Sequence, residues 1–351
     1  MDFTFTEEQA MMADVARELL AAKCDTATLR RQMAEDAVFD DARWQALSEL
    51  GLQGILVPEE AGGLGLGGAD LVQVAQACGA VCLPEPLVDL AGVVAPLLAE
   101  CGASDALARV LEDGALIVLA HPLTPFVAFA DKAKAAILCD DDGLRLVQRA
   151  DLTLTAEPGI DPLRNLFSVS AEPGAGERIA GPDTAPALLA RAAGRGALFA
   201  AAQMLGSAQA CVDLGVAYAQ ERKQFGRPIG VNQAIKHHLA TAQVKIEFAR
   251  PVVHAAAVLE PDAGPQSRAR ISHARLAAAE AADLAARTAM QVHGAMGYSW
   301  EVDVHFHLKR TLALSSLWGT AEHHRKIIAA RVFDGPLGPD QTFPQERHHH
   351  G

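Results

Sequence analysis

From Thr6 to about Leu111, apolar residues recur at three- and four-residue spacing, as in EEQAMMADVARELL and DDARWQALSEL, with Gly and Pro punctuating the runs. That spacing predicts an antiparallel helical unit. One interruption, VPEEAGGLGLGGAD at residues 57 to 70, holds too many glycines for a helix and predicts a loop whose backbone passes close to something. From Gly114 to roughly Gly181 the pattern shifts to short β-like runs, ALIVLAHP, KAAILCDD, LRLVQRADLTLTAEP and LFSVSAE, broken by Asp, Gly and Pro. Beyond Pro182 it is helical again to about Phe333. ALLARAAGRGALFAAAQMLGSAQACVDLGVAYAQER predicts a single helix of eight or nine turns, and SRARISHARLAAAEAADLAARTAMQVHG predicts another. Small residues on several faces let such helices approach closely, as in a tight bundle continued across a subunit interface.

The expected organisation is helices over 1–112, a β unit over 113–181, helices over 182–340 and a tail over 341–351, an α+β chain that is mainly α. The terminal HHHG lies outside fold reasoning.

At 351 residues the chain is long enough for two or three structural units. A formal charge of −13 argues against a nucleic-acid or anionic-membrane role, because both need a basic field over the contact surface. No run of roughly 18 or more residues lacks polar breaks, and the start MDFTFTEEQAMMADVAREL is acidic where a signal peptide is basic. A cytoplasmic protein that does not span a membrane is expected. Cys24, Cys78, Cys82, Cys101, Cys139 and Cys211 form no CxxC pair and have no His at zinc spacing, so they are expected to be buried free thiols. His305, His307, His323 and His324 are spaced so that they do not converge on one helix face. They are expected at the surface or an interface, and no metal site is expected.

Three segments carry candidate chemistry. ERKQFGRPIGVNQAIKHHLA, residues 221 to 240, concentrates Arg222, Lys223 and Arg227 at a Gly and Pro turn, and arginine can grip a pyrophosphate through two nitrogens. The plain alternative is a solvated basic turn. QVHGAMGYSWE, residues 291 to 301, ends a long helix in a Gly-rich loop where Gln291 offers a donor and an acceptor; a glycine helix cap is the structural alternative. In LWGTAEHHRKIIAARV, Thr320 is a candidate N-cap of a helix whose N-terminus could face an anion.

In this order and spacing, with VPEEAGGLGL and GIDPLRNLFSV, these segments resemble the acyl-CoA dehydrogenase family over essentially the whole chain; the ERKQFGxPI element is the most specific part. The resemblance implies an N-terminal helical domain, a middle β-barrel and a C-terminal four-helix bundle, assembled as a tetramer. It also implies FAD, an acyl-CoA substrate dehydrogenated between its α and β carbons, and electron-transferring flavoprotein as acceptor. Matched position by position, Arg222 falls on the arginine at the FAD diphosphate of the neighbouring subunit, and Phe225 and Ile229 on apolar contacts to the same cofactor. Gln291 and the pair Gly294 and Ala295 fall on the groups at its adenosine end. Thr320 and Glu322 fall on polar FAD contacts.

The catalytic position departs from the family. The reaction needs a carboxylate beside the α-carbon in a dry site. Most of the family carries it as the glutamate of a Tyr-Glu-Gly-Thr-like segment; here the segment is Leu317-Trp318-Gly319-Thr320, and indole can only donate. The second family position for the base, near the start of the first bundle helix, falls at about Gly196, with Arg195 nearby as a displaced form of the family arginine. The flavin-cradling motif of the middle domain survives only as HPLTPFVAF. Glu322, Asp183 and Glu301 are weak candidates for a replacement base, since most such carboxylates are solvated.

The chain therefore resembles the base-lacking subunit of heteromeric acyl-CoA dehydrogenases, such as those acting on steroid or other bulky side-chain thioesters, paired with a homologous Glu-bearing subunit in a heterotetramer. The alternatives are a self-sufficient homotetramer with a displaced base, a non-enzymatic scaffold, or another flavin enzyme of the same fold.

Overall fold

The computed structural model describes residues 4–335. The expected tail, 341–351, and the last residues of the third unit lie outside the described residues.

Seven helices come first: α1 (Glu7–Lys23), α2 (Thr26–Ala34), α3 (Asp41–Glu49), α4 (Gly68–Ala80), α5 (Leu87–Asp89), α6 (Ala95–Glu100) and α7 (Ser104–Asp113). Their starts follow from side-chain capping. Thr6 and Gln9 form a reciprocal capping box at α1, while Asp25 and Asp40 accept backbone N–H groups at α2 and α3. Between α5 and α6 the helix widens into a π-helical turn over Leu90–Val94, a distortion that clusters at functional sites. The Gly-rich loop is a loop, as its composition predicts, but its backbone passes close to protein. A Cβ at Gly63 would collide with Val57, and one at Gly68 would sit 2.7 Å from the Ala257 carbonyl.

The middle unit has strands β1 (Ile117–Leu119), β2 (Phe126–Ala128), β3 (Ala135–Asp140), β4 (Gly143–Gln148), β5 (Leu152–Glu157), β6 (Leu166–Ala171) and β7 (Glu177–Ala180). They form a four-stranded sheet in the order β1-β3-β4-β7 and a three-stranded sheet in the order β2-β6-β5, so the expected barrel takes the form of two sheets. All pairings are antiparallel except β1 with β3.

The C-terminal unit starts with α8 (Ala185–Glu221), 37 residues in one run and about ten turns, the length its 36-residue segment dictates at 3.6 residues per turn and more than the eight or nine turns expected. The hairpin β8 (Lys223–Gln224) to β9 (Arg227–Pro228) leads into α9 (Gln233–Leu259), α10 (Pro265–His293), α11 (Val304–Leu314) and α12 (Ala321–Phe333). Among the described residues α8 alone is long and apolar enough to cross a membrane, and most of that stretch is buried in the bundle. Alanine lines α8 and α10 where they meet, including Ala201, Ala278, Ala282 and Ala285, all fully buried.

One buried ion pair lies inside the N-terminal unit and a second joins the units. Arg43 on α3 binds Glu85 at 2.7 Å. Arg310 on α11 binds Asp161 of the middle unit at 2.5 Å and donates to the carbonyls of Leu83 (2.7 Å) and Cys82 (3.2 Å). One guanidinium thus ties all three units together, and removing one partner of such a pair costs about 3–5 kcal/mol.

Two expectations about side chains need correction. His305, His307 and His324 are buried rather than superficial. His305 packs against Trp300 and Phe306, His307 contacts Ser207 and Cys82, and His324 contacts Ser272, contacts between elements that sequence spacing does not show. Cys24, Cys78, Cys82 and Cys211 are buried, whereas Cys101 is half-buried and Cys139 exposed. Cys139 lies near the end of β3, where the strand emerges into the turn before β4.

Candidate functional site

The segment between α11 and α12 is held from three sides. Arg275 on α10, fully buried, donates to the carbonyls of Leu314 at 2.6 Å and Leu317 at 3.3 Å. With no carboxylate beside it, burial pulls its pKa down to about 10. His324 on α12 contacts the Ser272 hydroxyl through Nδ1 at 3.1 Å. From the middle unit, the Thr124 hydroxyl accepts the backbone N–H of Trp318 at 3.0 Å.

This frame fixes Trp318 with φ +57°, a left-handed conformation costly for a bulky side chain, and with 4 % of its surface exposed. Its ring lies directly on α8. A Cβ added at Gly196 would fall inside the indole, against Cδ2, Cε2 and Cγ. The two positions that the resemblance gives to the base are thus in contact, and the indole fills the space between them.

The surroundings complete the enclosure. His121 stands 5.4 Å from the indole centroid; its Nδ1 accepts from the Leu123 N–H at 3.0 Å, which leaves Nε2–H to donate to the Leu189 carbonyl at 3.2 Å. HPLTPF, which the resemblance matches to the flavin-cradling motif, therefore reaches the Trp318 segment, where the Thr124 hydroxyl holds the Trp318 backbone and His121 bonds to its own loop and to α8. On the far side, Asp89 and Arg164 line the same small cavity as Trp318. Burial pushes the Asp89 carboxyl above the usual carboxylate range, against the pull of Arg164. What remains is a cavity of ≈ 40 Å³, lined by Asp89, Thr124, Arg164, Trp318 and residues of β1, β2 and the π-helical turn.

Other carboxylates read from the sequence as possible bases point elsewhere. Glu322 pairs with Lys326 at 2.8 Å, both three-quarters exposed, while Asp183 and Glu301 are also exposed. Arg195 lies one residue from Gly196, but its side chain is spent on Glu100 (2.6 Å) and Glu260 (2.8 Å). Asp89 is the carboxylate that sequence reasoning missed. No periodicity marks it, and the π-helical turn that follows it is visible only in three dimensions.

The candidate cofactor residues fall into two groups. Arg222, Phe225 and Ile229 lie on the β8–β9 turn, where Phe225 (φ +52°) and Gly226 (φ +79°) make the tight hairpin that two positive φ values produce. Gln291, Gly294 and Ala295 lie where α10 ends, with Gly294 (φ +59°) as its cap. The structure brings these together. Tyr218 stacks on His293 with ring centroids 4.1 Å apart, and Ile229 packs with Ala219 and Val292. Arg222, Phe225, Gln291, Gly294 and Ala295 are all exposed, and nothing lies within 4 Å of a Cβ built at Gly294.

Thr320 and Glu322 form the second group, beside Trp318. Thr320 caps α12 by accepting the His323 N–H at 3.3 Å, as its position predicts. Arg222 follows Gly196 by 26 residues along α8, which places the two groups about 39 Å apart at 1.5 Å per residue. An extended dinucleotide does not bridge that distance within one chain.

The exposed first group has the donor set and open space to hold the diphosphate and adenosine of FAD. The cavity of ≈ 40 Å³ next to the indole has no room for a tricycle, and Thr320 and Glu322 lie outside it, at the surface.

Comparison with known proteins places the fold. The model of the acyl-CoA dehydrogenase N-terminal domain matches residues 6–115, and that of the C-terminal domain matches residues 188–333. Acyl-CoA dehydrogenase IpdE2 of Mycolicibacterium smegmatis is 33% identical over 331 residues, covering 93% of this chain and 100% of the relative. Acryloyl-CoA reductase (NADH) of Anaerotignum propionicum is 26% identical over 382 residues, covering 95% and 96%. Among solved structures, the ChsE4-ChsE5 complex from Mycobacterium tuberculosis superposes with TM-score 0.85 at 22% identity, covering 96% of this chain and 100% of the other. Butyryl-CoA dehydrogenase from Megasphaera elsdenii gives 0.82 at 20%, covering 95% and 100%. With both terminal domains matched and relatives aligned along their whole length, the chain belongs to the acyl-CoA dehydrogenase family.

Proposed function

We propose that this chain is the base-lacking subunit of a heteromeric, FAD-dependent acyl-CoA dehydrogenase of the cytoplasm. The contact between Trp318 and Gly196 carries the reading: the two positions for a catalytic glutamate are given to an indole and to the glycine that makes room for it. FAD, when bound, supplies the hydride acceptor for α,β-dehydrogenation of an acyl-CoA thioester. The residues of this chain act at its other end. Arg222 grips the diphosphate, Phe225 and Ile229 cover it, and Gln291 with Gly294 and Ala295 holds the adenosine. The ring and the base then belong to a homologous Glu-bearing subunit, with electron-transferring flavoprotein as the acceptor. The roughly 39 Å between the two groups supports a cofactor shared between chains.

The test is turnover by the purified chain, alone and mixed with a Glu-bearing homologue from the same cell. The reading expects no acyl-CoA-dependent bleaching of flavin by the chain alone and activity on mixing. Asp89 favours a second reading, self-sufficient dehydrogenation with a displaced base, because it lines the same small cavity as Trp318, which stands at the position the resemblance gives to the base. Turnover by the chain alone that disappears in Asp89→Asn would establish that reading instead.

A further inference from the structure

One face of α9 is apolar and uncovered. Val244, Phe248 and Val258 are exposed, Phe248 to 74 % of its surface. Pro251, Val252 and Ala255 lie on the same side of the helix, exposed or half-buried. Positions 244, 248, 251, 255 and 258 recur at steps of four, three, four and three residues, the spacing of a seam that receives another helix. From Val244 to Val258 the seam rises about 21 Å at 1.5 Å per residue. A continuous apolar stripe of this kind on a folded surface marks a protein contact rather than a scatter of single side chains.

The seam is notched at its middle. Pro251 lies inside α9 and has no N–H to give the preceding turn. Beside it a groove of ≈ 270 Å³ opens between α9 and α10, lined by Pro251, Val252, Ala255, Ala256, Arg270 and His273. Arg270 and His273 are three residues apart on α10, so they are neighbours on one face of that helix. Their side chains make no ion pair or hydrogen bond among the described residues. The groove thus joins an apolar lining to a guanidinium and an imidazole that await an acceptor.

The charges along the seam distinguish a second copy of this chain from a different chain. Glu247 on α9 already pairs with Arg250 at 3.2 Å, and Glu280 on α10 pairs with Lys245 at 3.1 Å. In a two-fold contact between identical chains, the carboxylate that meets Arg270 has to come from this same surface. Its carboxylates are taken, so the complementary one comes from another chain.

Resting on the reading of a heteromer, we propose that the α9–α10 face docks a helix of the homologous Glu-bearing subunit, with a carboxylate of that helix seated at Arg270 and His273. Burial of the apolar seam supplies the affinity, and the carboxylate fixes the register of the docked helix.

The test uses the complex purified from its own cell, with Phe248→Glu or Arg270→Glu in this chain. Its composition on dilution is read by mass photometry and native mass spectrometry. Phe248 stands outside the core, so Phe248→Glu is expected to keep the urea midpoint of the wild-type chain. It is expected to weaken binding of the companion roughly 10- to 100-fold, because a charge enters the centre of the seam. Arg270→Glu is expected to weaken it roughly 5- to 10-fold, with a smaller effect in about 1 M salt. Unchanged affinity in either variant overturns the proposal and leaves the heteromer standing. Copies of this chain that separate from each other while each keeps its companion assign the face to a second copy and also overturn it. A wild-type chain that purifies without a companion removes the heteromer itself, and this proposal with it.

Discussion

The indole of Trp318 occupies the volume that any side chain at position 196 would need, so Gly196 and Trp318 specify each other across two segments far apart in sequence. Gly196→Ala is therefore expected to overpack the contact and cost about 1–3 kcal/mol, read as a lowered urea midpoint. Ordinarily alanine in a helix is better than glycine by roughly 1 kcal/mol, so the sign alone is informative. Combining Gly196→Ala with Trp318→Gly is expected to show a coupling of about 0.5–3 kcal/mol in a double-mutant cycle, because the clash disappears with the ring. Simple additivity of the two changes contradicts the contact.

Removing the Arg310 staple is expected to be among the most damaging single changes. Arg310→Met leaves the buried Asp161 without its ion-pair partner and takes a donor from the Cys82 and Leu83 carbonyls, a loss of about 3–5 kcal/mol by chemical denaturation. Arg310→Lys recovers part of it only, since an ammonium cannot reproduce the guanidinium geometry.

Stability is expected to fall with acid in a window set by buried imidazoles. Burial holds His254, His305, His307 and His324 near a pKa of about 4, with Arg250 further lowering His254 and Arg275 further lowering His324. The unfolded chain binds protons at these groups below roughly pH 6.5, while the folded chain does not until about pH 4. Their contribution is therefore present above pH 6.5 and lost as pH falls toward 4. Each group adds up to about 1.4 kcal/mol of slope per pH unit. Urea midpoints measured from pH 8 to pH 5 are expected to decline below pH 6.5, and His324→Gln to decline less steeply than the wild type. Parallel curves contradict the assignment for His324.

At the other end of α8, Arg222→Gln is expected to weaken FAD retention by the native complex roughly 10- to 100-fold, the range of one charge-assisted hydrogen bond. Fluorescence of flavin released on dilution reads this directly. The fold of this chain is expected to be unaffected, since the side chain is exposed.

The helices were legible because three- and four-residue spacing survives even in alanine-rich segments, and the caps at Thr320 and Gly294 follow from residue chemistry alone. Strands β2 and β7 were not legible. At three and four residues they are too short to alternate visibly, and β7 has no fully buried position. The indole at position 318 could be read from the motif, whereas the reason for glycine at 196 could not, because packing between distant segments leaves no periodic trace. The same holds for Asp89, and for the histidines, whose burial depends on how closely their neighbours let the helices approach.

The most direct measurement is the FAD-to-chain ratio of the complex purified from its own cell, with mass spectrometry identifying every chain present. About half a flavin per chain, together with a homologue carrying the catalytic glutamate, is the predicted result. One flavin per chain with no second subunit contradicts the shared site and the assignment of this chain as its base-lacking half.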